Sequence, residues 1–583
     1  MKLIRFVIIL LFSSSVWAQQ KVCFLYEPKP AFIKNQLQCF FTDSVNNYDF
    51  LVKREISALQ QKGFMMPIIK EKVFKDSMFI ELNPAKQFKN FFLLSDNETN
   101  QAITDAGIRL NRSNFFSVQT LDNISQKLLA NLQNSGYPFA AIVYDSANLK
   151  NDTVFVNLRI NKGNYFVFDS LSYAGTAIIK NRFLQKYLSI KIGSYYNEAL
   201  ISSSVQKLSA LPYIQVYAEP AVYFYGNKAK PYFYLNNKNA NLFNATIGFA
   251  PNSNINNKLV LTGEANLKLQ NISGSGKSFG FNYRNFLAGS QDIDLNFNWP
   301  YFLNTNIGTD YSFKLLRFDS LFTDLTNQIG FQYLFSANNN IKLFYEQQNV
   351  FTINADTNYV KINRKLPQYN DVVNRLYGIA VKLNGLNYTP NPSKGLFIQS
   401  QAAIGSRQII KNNEINSIKL NSENNQTYSI YDSVNLQSLQ YRFNGNLSFY
   451  NKIISDFVWH NQIMFGSVYA PNLFINDLYR IGGLRTLRGF DEQSIFANNY
   501  AIVNTELRYL FSLNSNLIIF YNYATYQNIL ASAKYGNAQG FGIGLNLQSG
   551  NGVFSFYYAV GKQNQNPYNF NSAKIHFGYI NYF

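Results

Sequence analysis

Histidine, cysteine and tryptophan are nearly missing from these 583 residues, with two, two and three copies. Charged side chains supply only 15% of the chain, where an ordinary soluble domain carries about a quarter. Each scarcity removes a class of protein. The two histidines, His460 and His576, stand in separate strand-like runs. Neither has cysteine, histidine or carboxylate neighbours at the spacing a metal needs, and no serine or cysteine pairs with them as a nucleophile. Both read as polar positions on a strand. No glycine-rich phosphate loop lies between a strand and a helix; Gly274-Ser275-Gly276 falls between two strand patterns and reads as a hairpin turn. The chain is therefore expected to be no enzyme and to need no metal and no cofactor. Beyond its first residues it also lacks the roughly 18 uncharged apolar residues that a membrane-spanning helix requires.

The opening "MKLIRFVIILLFSSSVWAQQ" is different in kind. Lys2 and Arg5 precede an apolar run from Phe6 to Phe12, and Val16-Trp17-Ala18 offers a small-residue cleavage site. Residues 1–18 read as a secretory signal, cut after Ala18, with no lipid-acceptor cysteine behind it. In an exported chain the neighbouring Cys23 and Cys39 are expected to form a disulfide. The formal charge of +19, less the two charges of Lys2 and Arg5, leaves +17 on the mature chain. So basic a balance often marks a nucleic-acid binder, but export argues for no nucleic acid as partner. Anionic lipid or lipopolysaccharide headgroups are the expected counter-charges.

A secreted chain without a spanning helix is either soluble or a closed barrel, since only a barrel otherwise satisfies its backbone in lipid. Composition favours the barrel: aromatics reach 16%, as lipid-facing strands require. The periodicity shows where it begins. Up to residue 237 the pattern is mixed α/β. Leu121, Ile124, Leu128, Leu129 and Leu132 fall at helical spacing before Gly136, and a strand is expected from Tyr137. Val52, Ile56 and Leu59 before Gly63-Phe64, and Leu200, Val205 and Leu208 before Pro212-Tyr213, repeat the arrangement. Such long repeats describe a string of small domains: a first, less complete one at 19–90, a second at 91–162 and the clearest at 163–237. The third reads strand, helix, helix, strand, strand, an order that resembles a POTRA domain.

From residue 238 to 583 the period becomes two. In "DIDLNFNW", Ile293, Leu295, Phe297 and Trp299 alternate with Asp292, Asp294, Asn296 and Asn298. "KLVLTGEANLKLQ" and "QYRFNGNLSF" behave alike, each with the length of a tilted membrane strand. The expected fold class is mixed: two or three small α/β domains, then a transmembrane antiparallel β-barrel of sixteen strands.

Within the barrel region, "RIGGLRTLRGFDEQS" crowds Gly482, Gly483 and Gly489 among Arg480, Arg485 and Arg488. Arg488-Gly489-Phe490 resembles the signature of the sixth extracellular loop in the BamA/TamA superfamily of outer-membrane insertases and two-partner-secretion transporters. The resemblance implies that this loop, around 480–495, folds back into the lumen. It implies that Arg488 pairs there with acidic wall residues. Glu506 matches the first of these, whereas Asn522 stands where the family offers a second aspartate. Leu487 replaces the usual valine or isoleucine. "YTPNPSKG", residues 388–395, resembles the family's Pro-x-x-Gly turn. The spacing of Gly578 and Phe583 resembles its C-terminal insertion signal, with Asn581 at a position normally apolar.

The function implied is an outer-membrane assembly or translocation factor of a Gram-negative bacterium, its N-terminal domains in the periplasm. Unfolded outer-membrane or secreted polypeptides would be its clients, captured by strand addition to the POTRA units and passed through the barrel seam or lumen. Outer-membrane lipid, lipopolysaccharide and periplasmic or lipoprotein accessory subunits are the other expected partners. Three alternatives stay open: a two-partner-secretion export channel, a role in lipid or lipopolysaccharide handling, and a passive porin or receptor.

Overall fold

The computed structural model describes residues 20–582, apart from 36, 43–45, 75–76, 89, 109–117, 151–152, 253–257, 288, 337–338, 389–390, 422–426 and 550–551. The signal at 1–18 and the terminal Phe583 lie outside the described residues. The chain divides into two compact units. One runs to Ser170 and takes in Ile192–Ser203 and Val222–Pro231; the other holds Leu171–Lys191, Ser204–Ala221 and everything from Tyr232 onward.

The first repeat is a four-stranded sheet ordered Leu37–Thr42, Gln20–Tyr26, Ser77–Asn83, Ile68–Phe74, with one helix, Asn46–Gln61. Val22, Phe24, Leu59, Ile80 and Leu82 form its core, and a disulfide joins Cys23 to Cys39 across the first strand pair. Its order, β-β-α-β-β, departs from that of a POTRA domain. Pro28 and Pro30 bar a helix just after the first strand, and the aromatic "LQCFFT" prefers a pleated edge to a helical turn.

The second repeat does run β-α-α-β-β: Asn90–Ser95, Asn97–Asp105, Val118–Asn134, Ala141–Lys150, Thr153–Asn161. Asp96 caps its first helix by accepting from the Thr99 amide at 2.8 Å. Ile124 and Leu128 of the second helix bury against Val154, Val156 and Leu158. The strand after Gly136 starts at Ala141 rather than Tyr137. Gly136 has φ 101° and the Tyr137 amide still bonds back to the helix at Leu132, while Pro138 has no N–H to offer a ladder.

In the third repeat the opening strand is split into Val167–Phe168 and Ser172–Ala174, both parallel to Lys228–Asn237. Helix Asn181–Leu188 packs in the same unit as the barrel. There the Lys180 amide donates to Gly274 O (2.7 Å) and Asn271 Nδ2 to Ile178 O (2.7 Å). This places the Asn271–Gly276 hairpin at the periplasmic end of the barrel.

Sixteen strands among the described residues close into the antiparallel barrel, from Leu242–Asn252 to Lys574–Tyr582. Their alternation sends Tyr377, Ile379, Ile404, Tyr441 and Phe443 outward, where they are exposed. So many outward rings would be an aggregation hazard in water and are what lipid demands. Inward positions bury Gln348, Asn374, Gln440 and Glu506. No described helix is long and apolar enough to cross a membrane.

At the end opposite the Asn271–Gly276 hairpin, the loops build a core of their own from Val360, Ile409, Ile415, Ile430, Tyr431 and Phe474. Arg407, 1% exposed, reaches into it to grip Asp477 (2.7 Å) and donates to Asn472 O (3.1 Å). Removing one partner of such a pair leaves a buried charge uncompensated, a loss of about 3–5 kcal/mol, whereas a well-packed apolar pair is close to neutral. Arg407→Ala is thus expected to lower the temperature at which the folded, fast-migrating gel form disappears. The pair Arg407→Met with Asp477→Leu should restore most of it; equal losses in both variants would contradict this account of the cap.

Candidate functional site

The chain enters the lumen through a two-stranded ribbon in which Tyr479, Arg480 and Ile481 face Ala497, Phe496 and Ile495. Ile481, Leu487 and Ile495 then pack with Ile502, Ala524 and Ala538 of the inner wall, and Phe490 lies against them. Hydrophobic burial thus holds the loop to the wall beside the charged contacts. Gly482 and Gly483 make the reversal, the Gly483 amide bonding to Leu487 O at 3.0 Å.

The tip fits because the wall opposite is glycine. Gly489 has φ 93°, and a Cβ there would lie 2.7 Å from the backbone of Gly561. A Cβ on Gly540 would come within 1.9 Å of the Arg488 carbonyl oxygen. Backbone meets backbone, which only glycine allows.

This seat delivers Arg488 to a buried polar cluster. Its Nη1 stands 2.8 Å from Glu506 Oε1 and its Nε donates to Asn522 Oδ1 at 3.1 Å. The guanidinium also sits 3.8 Å above the Phe520 ring, a cation–π contact strengthened by burial. Asn522 donates onward to Asn504 (2.6 Å), and Asn504 to the loop carbonyl of Thr486 (3.3 Å).

Glu506 serves more than one cation. Its Oε2 accepts from Arg508 Nε at 2.7 Å and lies 2.5 Å from Arg508 Nη2. His460 Nδ1 is 2.9 Å from the same oxygen, its ring stacked on Tyr450 at 4.1 Å. His460 is the polar wall position that its strand pattern suggested, and strand register, which no local spacing reveals, sets it directly opposite Glu506. Arg508 was legible: it lies two residues along from Glu506, on the same face of the strand. Phe520, Gly540 and Gly561 carried no local signal.

Further pairs hold the rest of the loop. Arg485 meets Glu264 of the second barrel strand, and Asp491 meets Lys574 of the last at 2.5 Å. Glu492 accepts from the Leu484 amide (2.8 Å) and faces Arg284 (3.8 Å), which also pairs with Asp292. Gly395, ending the "NPSK" turn, begins a barrel strand, and a Cβ there would clash with Gly385 O at 2.3 Å. Gly578 lies in the last strand opposite Thr246 of the first. Among the described residues no group of three or more His, Cys, Asp or Glu side chains forms a metal site.

A closed lipid-facing barrel, periplasmic α/β repeats and an arginine-tipped loop locked in the lumen define an outer-membrane β-barrel protein. The chain belongs to the Omp85 superfamily: residues 271–579 match the Omp85 superfamily domain. Among curated proteins it is similar to outer membrane protein assembly factor BamA of Buchnera aphidicola subsp. Acyrthosiphon pisum (strain APS). The two are 23% identical over 271 residues, a stretch covering 44% of this chain and 42% of that relative. Among solved structures it is similar to CdiB from Escherichia coli (TM-score 0.53) and CdiB from Acinetobacter baumannii (TM-score 0.51). Each is 12% identical, with 92% of this chain and 97% of that chain covered. These likenesses speak for the fold. The protein resides in the outer membrane of a Gram-negative bacterium.

Proposed function

We propose that this protein inserts other polypeptides into the outer membrane at the seam between its first and last barrel strands, without catalytic residue, metal or nucleotide. The observation that carries this reading is the seam itself. Leu242–Asn252 pairs with the second strand along its whole length, from Leu242↔Lys268 to Asn252↔Lys258. Against the last strand its register runs only from Leu242↔Tyr582 to Ile247↔Phe577. Among the described residues, Gly248–Asn252 have no ladder partner on that side. Unpaired strand edges recruit other strands, so a client can add there with little to break.

The loop supports the same reading. Through Arg485–Glu264 and Asp491–Lys574 it grips a strand on each flank of the seam from inside. Clients would first meet the repeats, whose edge strands add an extended chain by main-chain hydrogen bonds. In the second repeat the edge strand Asn90–Ser95 exposes Phe92 and Leu94. A two-partner-secretion exporter would carry an N-terminal plug helix, whereas Gln20–Tyr26 and Leu37–Thr42 here are strands of a sheet.

A cysteine pair at Ala245 and Tyr579, which face one another across the seam, tests this. Oxidised, Ala245→Cys with Tyr579→Cys should abolish insertion of outer-membrane barrels, and reduction should restore it. Undiminished insertion through a locked seam would refute the mechanism. The outer-membrane proteome after depletion should lose barrel proteins first; loss of secreted proteins alone would favour export through the lumen.

A further inference from the structure

The periplasmic mouth of the lumen holds a cavity of about 410 Å³ that neither the inward loop nor the seam ladder lines. Its polar lining includes asparagine and glutamine amides, three lysines and one aspartate: Lys268, Lys342, Lys382 and Asp310. Lys342 is committed, with Nζ 3.1 Å from Asp310 Oδ2 and donating to Gln328 Oε1 at 2.8 Å. Lys268 and Lys382 have no carboxylate within ion-pair reach among the described residues.

Elsewhere in the lumen Arg284, Arg407, Arg442, Arg485 and Arg488 each meet a carboxylate. Two free ammonium groups share one concavity with a third whose charge is already matched. Low-dielectric walls focus such a field and concentrate counter-ions. The surrounding amides add N–H donors, and lysine binds phosphate as a compact point charge. A monovalent anion would answer one lysine; a multiply charged one answers both.

We propose that this cavity is a binding site for a small, multiply charged phosphate-class oxyanion, about the size of a diphosphate. Two sources share that chemistry. One is a soluble phosphate compound of the periplasm. The other is a two-phosphate lipid headgroup of the inner leaflet, as in cardiolipin, since Lys268 pairs in register with Leu242, which sits at the periplasmic end of the seam.

The probe is inorganic pyrophosphate, titrated calorimetrically into the full-length protein in uncharged detergent at low salt. One saturable site is expected, weakening as salt screens it. Lys268→Gln with Lys382→Gln should weaken binding about tenfold or more, a change of the order that loss of a close charge produces in a partly shielded site. Lys268→Glu with Lys382→Glu should abolish it. Lys314→Gln, a lysine outside the cavity beside Asp294, should leave it unchanged. Heat-shifted gel mobility verifies that each variant has folded. No saturable heat with the parent protein, or equal affinity in the folded double variants, would overturn the proposal. Repetition in lipid nanodiscs separates the sources. If cardiolipin weakens pyrophosphate binding relative to phosphatidylglycerol at matched surface charge, the headgroup competes for the site; equal affinity in the two lipids assigns it to soluble phosphates.

Discussion

Glu506→Gln is expected to damage the protein more than Arg488→Ala. From the sequence, loss of Arg488 would strand Glu506 without a partner. The structure reverses the order, because Glu506 keeps Arg508 (2.5 Å) and His460 (2.9 Å) when Arg488 is gone. Removing the carboxylate instead leaves Arg488 and Arg508 facing one another in a buried pocket. That is an uncompensated buried charge, at about 3–5 kcal/mol. Arg488→Ala loses charged hydrogen bonds and the Phe520 contact, about 2–3 kcal/mol. The two changes share one network, so the double variant should fall short of their sum. Two readouts check this: the temperature at which the fast-migrating folded form disappears, and recovery of client barrels in the outer membrane. Wild-type behaviour of Glu506→Gln in both would mean that the clamp holds nothing.

The second large effect needs no charge at all. Gly540→Ala should eject the loop tip, because the added Cβ would sit 1.9 Å from the Arg488 carbonyl oxygen. A peptide group on one side and a barrel ladder on the other leave nothing flexible to yield. Gly280→Ala is the matched control: its Cβ would find nothing nearer than 3.7 Å. Leu487, fully buried under the seated loop, reports the outcome. As Leu487→Cys it should resist a membrane-impermeant maleimide in the parent and with Gly280→Ala, and react readily with Gly540→Ala. The native cysteines are tied to one another and do not interfere. Equal protection in all three would show that the tip does not need the glycine seat.

Much of this molecule is written in local pattern. The change from helical spacing to strict alternation near residue 238 marks where the barrel begins, and a period of two is visible in any single strand such as Ser290–Trp299. The repeat order of residues 163–237 is equally local, set by Gly175, Gly193 and the helical spacing of leucines. Arg488 was legible through its glycines and its likeness to a known loop, and Glu506 through the strand that follows it. The first repeat was not, because "LQCFFT" is too short to declare a strand until it finds Gln20–Tyr26 beside it.

What the sequence determined, then, is which residues face lipid, which face the lumen, and where a charged loop interrupts them. The tertiary structure decided who meets whom. His460 lies 46 residues from Glu506 and Gly540 lies 52 from Arg488, and strand register alone brings the first pair together. Register is set by turns and by closure of the whole barrel, and a slip of one residue would turn every inward side chain outward. The alternation is therefore a property of each strand, and the clamp, the glycine seat and the short seam are properties of the closed ring.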